Sequence, residues 1–332
     1  MSASQRVEVT ALGKTPTGTI VTQPFPEPGP DQLTIQVAAA PVNLVDVITI
    51  RGDYQFTPNL PYTPGKGPAG TVMAVGDTVE NFAPGDRVIA MCEKGGFATH
   101  VAVSAQDVYP LPPQTTFEAA AAMSVSFETA YIALTDRAHL HPGETVLVLG
   151  ANSQVGYAAL QLARAMGASQ VIAGVRDSSL TQQLLANGAT HVISLSDEPV
   201  RDLVRDQVFA ITDNHGADVV IDPVGGDAFD GAVRCVAWRG RLVVIGFASG
   251  RIPTIGVNYT MLKNISISGL QISDYRRRAP EVTRTALTEI LRLQAAGEIR
   301  EPVSTTYPLD RWHDAMAHVA ERRTHDRVLI IP

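Results

Sequence analysis

Hydrophobic and polar positions give the chain two textures, with a change near Phe117. Before it, short alternating or apolar segments at 32–38, 69–75, 87–90 and 98–103 are broken by Pro and Gly. The turn signals PEPGPD (26–31), TPGKGP (63–68) and APGD (83–86) separate them. This pattern predicts a small, irregular, β-rich domain. Residues 117–134 are Ala-rich and read as helix. From 145 onward, apolar strands near 145–149, 170–175, 191–195, 217–222 and 240–246 alternate with helical stretches such as 178–187 and 199–214. Repeated strand–helix alternation predicts a parallel sheet covered on both faces. Beyond 246 the alternation weakens to a short strand over 265–272, an amphipathic helix over 280–296 and a β-branched strand over 327–331.

The segment TVLVLGANSQVG (145–156) carries the most chemistry. Its nearly all-apolar strand suits the centre of a parallel sheet. The turn that follows spaces Gly150, Ser153 and Gly156 as G-x-x-S-x-x-G and leads into an Ala/Leu-rich helix. A helix N-terminus at such a turn offers N–H groups and partial positive charge to a pyrophosphate. Gly150, Asn152, Ser153, Gln154 and Val155 are therefore candidate cofactor contacts. Ser153 stands where this turn usually has a glycine, so its backbone is less free. Gly225, Gly246 and Phe247 follow the fourth and fifth strands, where the crevice of an open parallel sheet lies, and are further candidates. The second strand runs into Arg176-Asp177. An arginine there can pair with a 2′-phosphate through its planar fork, which favours NADPH. The carboxylate of Asp177 could instead bond the ribose of NADH.

Composition narrows the classes. A chain of 332 residues allows two domains, and 45% apolar with 18% charged residues fits an ordinary globular protein. The net charge of −7 argues against a nucleic-acid partner. No apolar run approaches a bilayer span of ~18 residues, so no membrane partner is expected. The first residues, MSASQRVEVT, hold no signal-peptide core, and the two cysteines, Cys92 and Cys235, cannot build a disulfide framework. A cytoplasmic location is expected.

Several segments resemble the medium-chain dehydrogenase/reductase superfamily, in its zinc-independent quinone oxidoreductase-like branch. They are PVNLVDVITIRGDY (41–54), VGDTVENFAPGDRV (75–88), GGFATHVAV (95–103), HPGETVLVLGANSQVG (141–156), GADVVIDPVGGDAF (216–229), RGRLVVIGFASG (239–250) and NISISGL (264–270). The resemblance implies an α/β architecture. A doubly wound Rossmann sheet (123–267) is inserted into a discontinuous GroES-like catalytic domain (1–122 and 268–332), with substrate in the cleft between them. Relatives pair as homodimers through the strand matching 265–270, so a homodimer is expected.

Zinc-containing relatives place a cysteine at the position of Asn43, a histidine within the 65–67 turn and a second cysteine near Val125. This chain has Asn43, Gly65-Lys66-Gly67 and Val125 there. None is a normal zinc ligand, so no metal is expected. The resemblance then implies hydride reduction of conjugated acceptors: quinones, enones or enoyl thioesters. Tyr54 matches a tyrosine that donates a proton or stabilises an enolate in enoyl thioester reductases; packing of the cleft wall is the alternative. The Asn43 amide could bond the nicotinamide ribose or a substrate carbonyl, or serve only its turn. Lys66 could hold an anionic substrate or point to solvent. Thr129 matches a threonine near the nicotinamide, and Arg327 a basic residue that reaches the cofactor; a core position and a surface salt bridge are the respective alternatives.

Two features lean away from the quinone branch. Leu180 and Leu195 stand where many of its members have a lysine and a tyrosine on the 2′-phosphate, and NSxVG with VRD resembles the mitochondrial-type 2-enoyl thioester reductases. Enoyl reduction is therefore the alternative activity, and a non-catalytic NADPH-binding sensor the alternative of another class. Arg276–Arg278 read as a solvated basic triplet that could alternatively meet a phosphate, and Trp238 and Trp312 as core.

Overall fold

The computed structural model describes residues 3–14, 16–196, 199–321 and 326–332. In chain order the strands are β1 (Ser4–Ala11), β2 (Thr17–Gln23), β3 (Gln32–Pro41), β4 (Ala69–Val75), β5 (Arg87–Ala90), β6 (His100–Ser104), β7 (Val108–Pro110), β8 (Thr145–Leu149), β9 (Gln170–Val175), β10 (His191–Ser194), β11 (Ala217–Asp222), β12 (Val236–Val244), β13 (Ser266–Gly269), β14 (Ser304–Pro308) and β15 (Arg327–Ile331). The helices are α1 (Leu44–Ile50), α2 (Phe117–Ile132), α3 (Gln154–Ala165), α4 (Thr181–Ala186), α5 (Val200–Ile211), α6 (Gly226–Ala232), α7 (Asn258–Lys263), α8 (Ile272–Arg278), α9 (Pro280–Ala295) and α10 (Trp312–Glu321).

The chain forms two compact units. The first comprises Met1–Val125, Leu287–Ala295 and Glu301–Pro332. Its seven-stranded sheet runs β14-β15-β3-β4-β5-β7, with β6 also paired to β3. All its pairs are antiparallel except β14–β15. Alternation puts Leu33, Ile35 and Val37 of β3 into one core with Val72, Val88, Phe97, Trp312 and Val328. The short apolar segments of the first third are strands because alternate side chains share this interior.

The second unit comprises Ser126–Ala286 and Ala296–Arg300. Its six strands lie in the order β10-β9-β8-β11-β12-β13 and are all parallel. This is the doubly wound order, which reverses between β8 and β11. All five residues of β8 are buried, as a strand covered on both faces requires. Within the unit, α8 is tied to residues 128–136: Arg276 is buried and paired with the buried Glu128 of α2, and the Tyr275 hydroxyl bonds Asp136. Arg276 is therefore not a solvated residue, whereas Arg277 and Arg278 are exposed and share Asp274. Trp238 also departs from expectation. It is 70% exposed, because Arg239 takes φ +63 and the pairing of β12 with β11 shifts register between Val236 and Arg241. Trp312 is core as expected.

Candidate active site

In the second unit, the loops leaving β8, β11 and β12 converge at the carboxyl ends of the strands. Gly150 has φ +59, and a Cβ there would lie 2.7 Å from the Val224 side chain, so only glycine fits this crossing of two loops. A Cβ at Gly156 would lie 2.3 Å from the Gly150 carbonyl oxygen, which is how α3 packs directly on the turn. Ser153 needs no such freedom: at φ −77 and ψ 167 it is the N-cap of α3, and its hydroxyl accepts from Gly156 N at 3.1 Å. Asn152, Ser153, Gln154 and Val155 are half-buried along this turn. First-turn amides of a helix have no carbonyl of their own helix to bond, so the start of α3 is a donor set for an anion.

Gly225 and Phe247 lie together, since a Cβ on Gly225 would sit 3.1 Å from the Phe247 ring. Gly246 approaches Pro223, with 3.5 Å from a built Cβ to the Pro223 oxygen. Gly150, Gly225, Gly246 and Phe247 are thus brought to one crevice. Asp222, the last residue of β11, assembles it. Its Oδ1 accepts from Val224 N and Gly225 N, both at 2.8 Å, and its carbonyl accepts from Ile245 N at 2.8 Å. The side chain is fully buried, and Oδ2 has no hydrogen-bond partner among the described residues. Burial pushes its pKa up to about 6 against the pull of the two amides. In the sequence, Asp222 is marked only by its spacing to the Gly225-Gly226 pair.

Arg176 and Asp177 follow β9 and are exposed. The main chain links them to the same crevice, because Ala151 N donates to Gly174 O at 3.1 Å. Thr129 is buried in α2 beside Glu128.

In the first unit a second polar group forms around Asn43, which sits at the N-terminus of α1. Asn43 Nδ2 donates to Asp46 Oδ2 at 3.0 Å and to the Lys66 carbonyl at 3.3 Å, while its Oδ1 accepts from Arg327 Nη2 at 2.8 Å. Asp46 also accepts from Asn43 N at 2.9 Å and from Gly65 N at 3.3 Å. The amide of Asn43 is therefore engaged inside the protein and joins three segments. Lys66 is buried rather than solvent-facing, and its ammonium pairs with Glu93. Arg327 is buried and bonded to Asn43, not part of a surface salt bridge. Its Nε and Nη1 have no partner among the described residues. Burial raises the pKa of the Asp46 carboxyl despite Lys66 and the three donors, and lowers that of Arg327 to about 10, so the guanidinium stays charged at neutral pH. Tyr54 follows the opposite end of α1 from Asn43, half-buried and edge-on to Phe56 at 5.7 Å between centroids. Among the described residues no three His, Cys, Asp or Glu side chains are grouped to hold a metal ion.

Asp46 and Glu93 were not foreseen. The Asn43-x-x-Asp46 spacing is a helix N-terminal signature that sequence alone displays. Glu93 gives no such signal, because its contact with Lys66 spans 27 positions.

Comparison with known proteins agrees with this architecture. Residues 29–113 match the alcohol dehydrogenase GroES-like domain family, and residues 155–290 match the zinc-binding dehydrogenase family. The quinone oxidoreductase-like protein 2 homolog of Nematostella vectensis is 34% identical over 306 residues, which span 91% of this chain and 82% of that protein. The crystal structure of Escherichia coli quinone oxidoreductase complexed with NADPH superposes with a TM-score of 0.89 at 27% identity, covering 99% of this chain and all of that one. The CurK enoyl reductase shares the fold, with a TM-score of 0.86 at 23% identity over 99% of both chains. Matched along nearly its whole length, with the doubly wound sheet and the GroES-like unit both in place, the chain belongs to the medium-chain dehydrogenase/reductase superfamily, among the quinone oxidoreductase-like oxidoreductases.

Proposed function

We propose that this oxidoreductase uses NADPH to reduce quinones or other α,β-unsaturated carbonyl compounds, without zinc. The observation that carries the proposal is the Asn43–Asp46–Lys66–Arg327 group. Where zinc-containing relatives would ligate a metal, the Asn43 side chain is bonded to the Asp46 carboxylate, the Lys66 carbonyl and the Arg327 guanidinium, and the Lys66 ammonium is paired with Glu93. The nucleotide half fits a dinucleotide: the α3 amides face the turn, the crevice is lined by glycines, and Arg176 is exposed at the end of β9. Bound NADPH supplies the hydride. The chain's part is to hold the cofactor and to stabilise the carbonyl oxygen on which negative charge develops. Arg327, with two guanidinium nitrogens that have no partner among the described residues, and the Tyr54 phenol are the donors best suited to it.

A 2-enoyl thioester reductase is the second reading. Ser153 no longer favours it, since its hydroxyl is spent on capping α3. Tyr54 does, because an enoyl thioester needs a proton at its α-carbon and a quinone takes its protons from water. The test follows NADPH oxidation with a quinone, a simple enone and a crotonyl thioester. Turnover of the quinone or enone supports the first reading, turnover of the thioester alone supports the second, and no turnover of any refutes both.

A homodimer fits the edge of the parallel sheet. There β13 has one side unpaired among the described residues, and nearby α7 with the residue before it exposes Val257, Met261 and Leu262 at 79%, 69% and 70%. Exposed apolar groups of this size beside a free strand edge suit pairing with a second copy. Among the described residues no helix is long and apolar enough to cross a membrane.

A further inference from the structure

Lys66 and Glu93 come from two loops that the backbone fastens together. Lys66 lies in the turn before β4, and Glu93 in the loop after β5. Gly95 N donates to Thr63 O at 2.9 Å, Gly96 N to Gly65 O at 2.9 Å and Phe97 N to Pro64 O at 3.0 Å. Gly65 has φ +101, and a Cβ there would lie 2.6 Å from Phe97 N, so the contact between the loops admits no side chain at that point. The pair is therefore built into the chain path. The Lys66 side chain is buried, that of Glu93 is half-exposed, and ammonium and carboxylate are in direct contact. The other charges of the group are opposed as well. Asp46 accepts from Asn43 N, Asn43 Nδ2 and Gly65 N, which favours its ionised form, and its charge opposes the burial that lowers the pKa of Arg327. Tyr62 is buried and stays a neutral phenol, held so by burial and by the Asp46 and Glu93 charges. Two cations thus stand against two carboxylates, and Lys66 touches its partner.

We propose that Glu93 is a specificity-determining residue: by neutralising Lys66 it closes the site to acceptors that carry a carboxylate and leaves it to uncharged quinones and enones. The inference rests on the reading above, in which the acceptor is reduced beside the Asn43–Asp46–Lys66–Arg327 group. A lysine at this position is by itself an anchor for an acidic substrate. Glu93 already holds that anchor. A substrate carboxylate would have to take Lys66 from Glu93, or lie beside Glu93 as a second negative charge. Displacing Glu93 forfeits a charge-assisted hydrogen bond, worth about tenfold to a hundredfold in an equilibrium constant. An uncharged carbonyl compound meets neither cost.

The test uses β-acetylacrylic acid, an enone ionised at neutral pH, and its uncharged methyl ester. NADPH-dependent reduction of each by the full chain gives the ratio of kcat/KM for acid over ester. The two compounds differ in intrinsic reactivity, which cancels when the ratio is compared between proteins. In Glu93→Gln the ratio is expected to rise about tenfold or more over wild type, because Lys66 is released to the acid. In Glu93→Gln with Lys66→Met the rise is expected to vanish. An unchanged ratio in Glu93→Gln overturns the proposal. So does a rise that persists in the double variant, since Glu93 would then repel the acid directly and not through Lys66. If Glu93→Gln does not fold, wild type decides: it is expected to reduce the ester about tenfold or more faster in kcat/KM than the acid, and equal values overturn the proposal. Failure of the underlying reading looks different, because wild type would then reduce neither compound.

Discussion

Replacing Asp222 by asparagine should flatten the pH dependence of the nucleotide unit's stability. Burial raises the Asp222 pKa to about 6, against 3.8 for an ordinary carboxyl. A folded-state pKa above the unfolded one means that the folded protein binds the proton more tightly. The resulting stabilisation is complete below the unfolded value of 3.8 and disappears as pH rises through about 6. Between pH 4 and pH 7 the loss amounts to about 2–3 kcal/mol. Asparagine keeps the acceptor for Val224 N and Gly225 N but cannot ionise, so it should not show this loss. Alanine should behave differently, since two amides would lose their acceptor at about 1–3 kcal/mol each if left buried. The assay is native-state hydrogen exchange of the β11 amides in wild type and Asp222→Asn at matched pH, where intrinsic exchange rates cancel. The stability difference between the two should shift by about 2–3 kcal/mol over that range, wild type gaining at the acid end. Parallel curves would refute the claim that Asp222 is a buried, protonatable anchor of the crevice.

Other outcomes follow from the same geometry. Arg276→Met strands the buried Glu128 carboxylate and should cost about 3–5 kcal/mol in urea unfolding, whereas Glu128→Leu with Arg276→Met should restore most of the loss; additive losses would contradict a direct pair. Tyr54→Phe should slow crotonyl thioester reduction by about 10²-fold or more and quinone reduction little, and equal small effects on both would exclude a proton-donor role. Met261→Glu with Leu262→Glu should convert a homodimer to a monomer in light scattering, and an unchanged mass would place any pairing surface elsewhere.

The nucleotide unit was legible because its strands are self-sufficient signals. The five buried residues of β8 leave no alternative to a strand sheltered on both faces, and the glycines after it mark where backbones must touch. What sequence could not show was long-range pairing of charge. Arg276 stands in a run of three arginines, and only its partner, 148 positions earlier, distinguishes it from the two exposed ones. Arg327 and Asn43 meet across 284 positions, which turned a candidate surface arginine into a buried one. Ser153 looked anomalous only against a glycine motif; as an N-cap its side chain has a local purpose. Trp238 failed for the opposite reason: apolar character alone does not show that a chain turns outward within a strand.

Hydride reduction without metal is tested most directly by removing any metal. The protein is treated exhaustively with a chelator, its zinc content is measured, and NADPH oxidation is followed with a quinone acceptor. The rate should equal that of untreated protein and should not rise when zinc is added. Loss of activity on chelation, restored by zinc, would contradict the proposed role of the Asn43–Asp46–Lys66–Arg327 group.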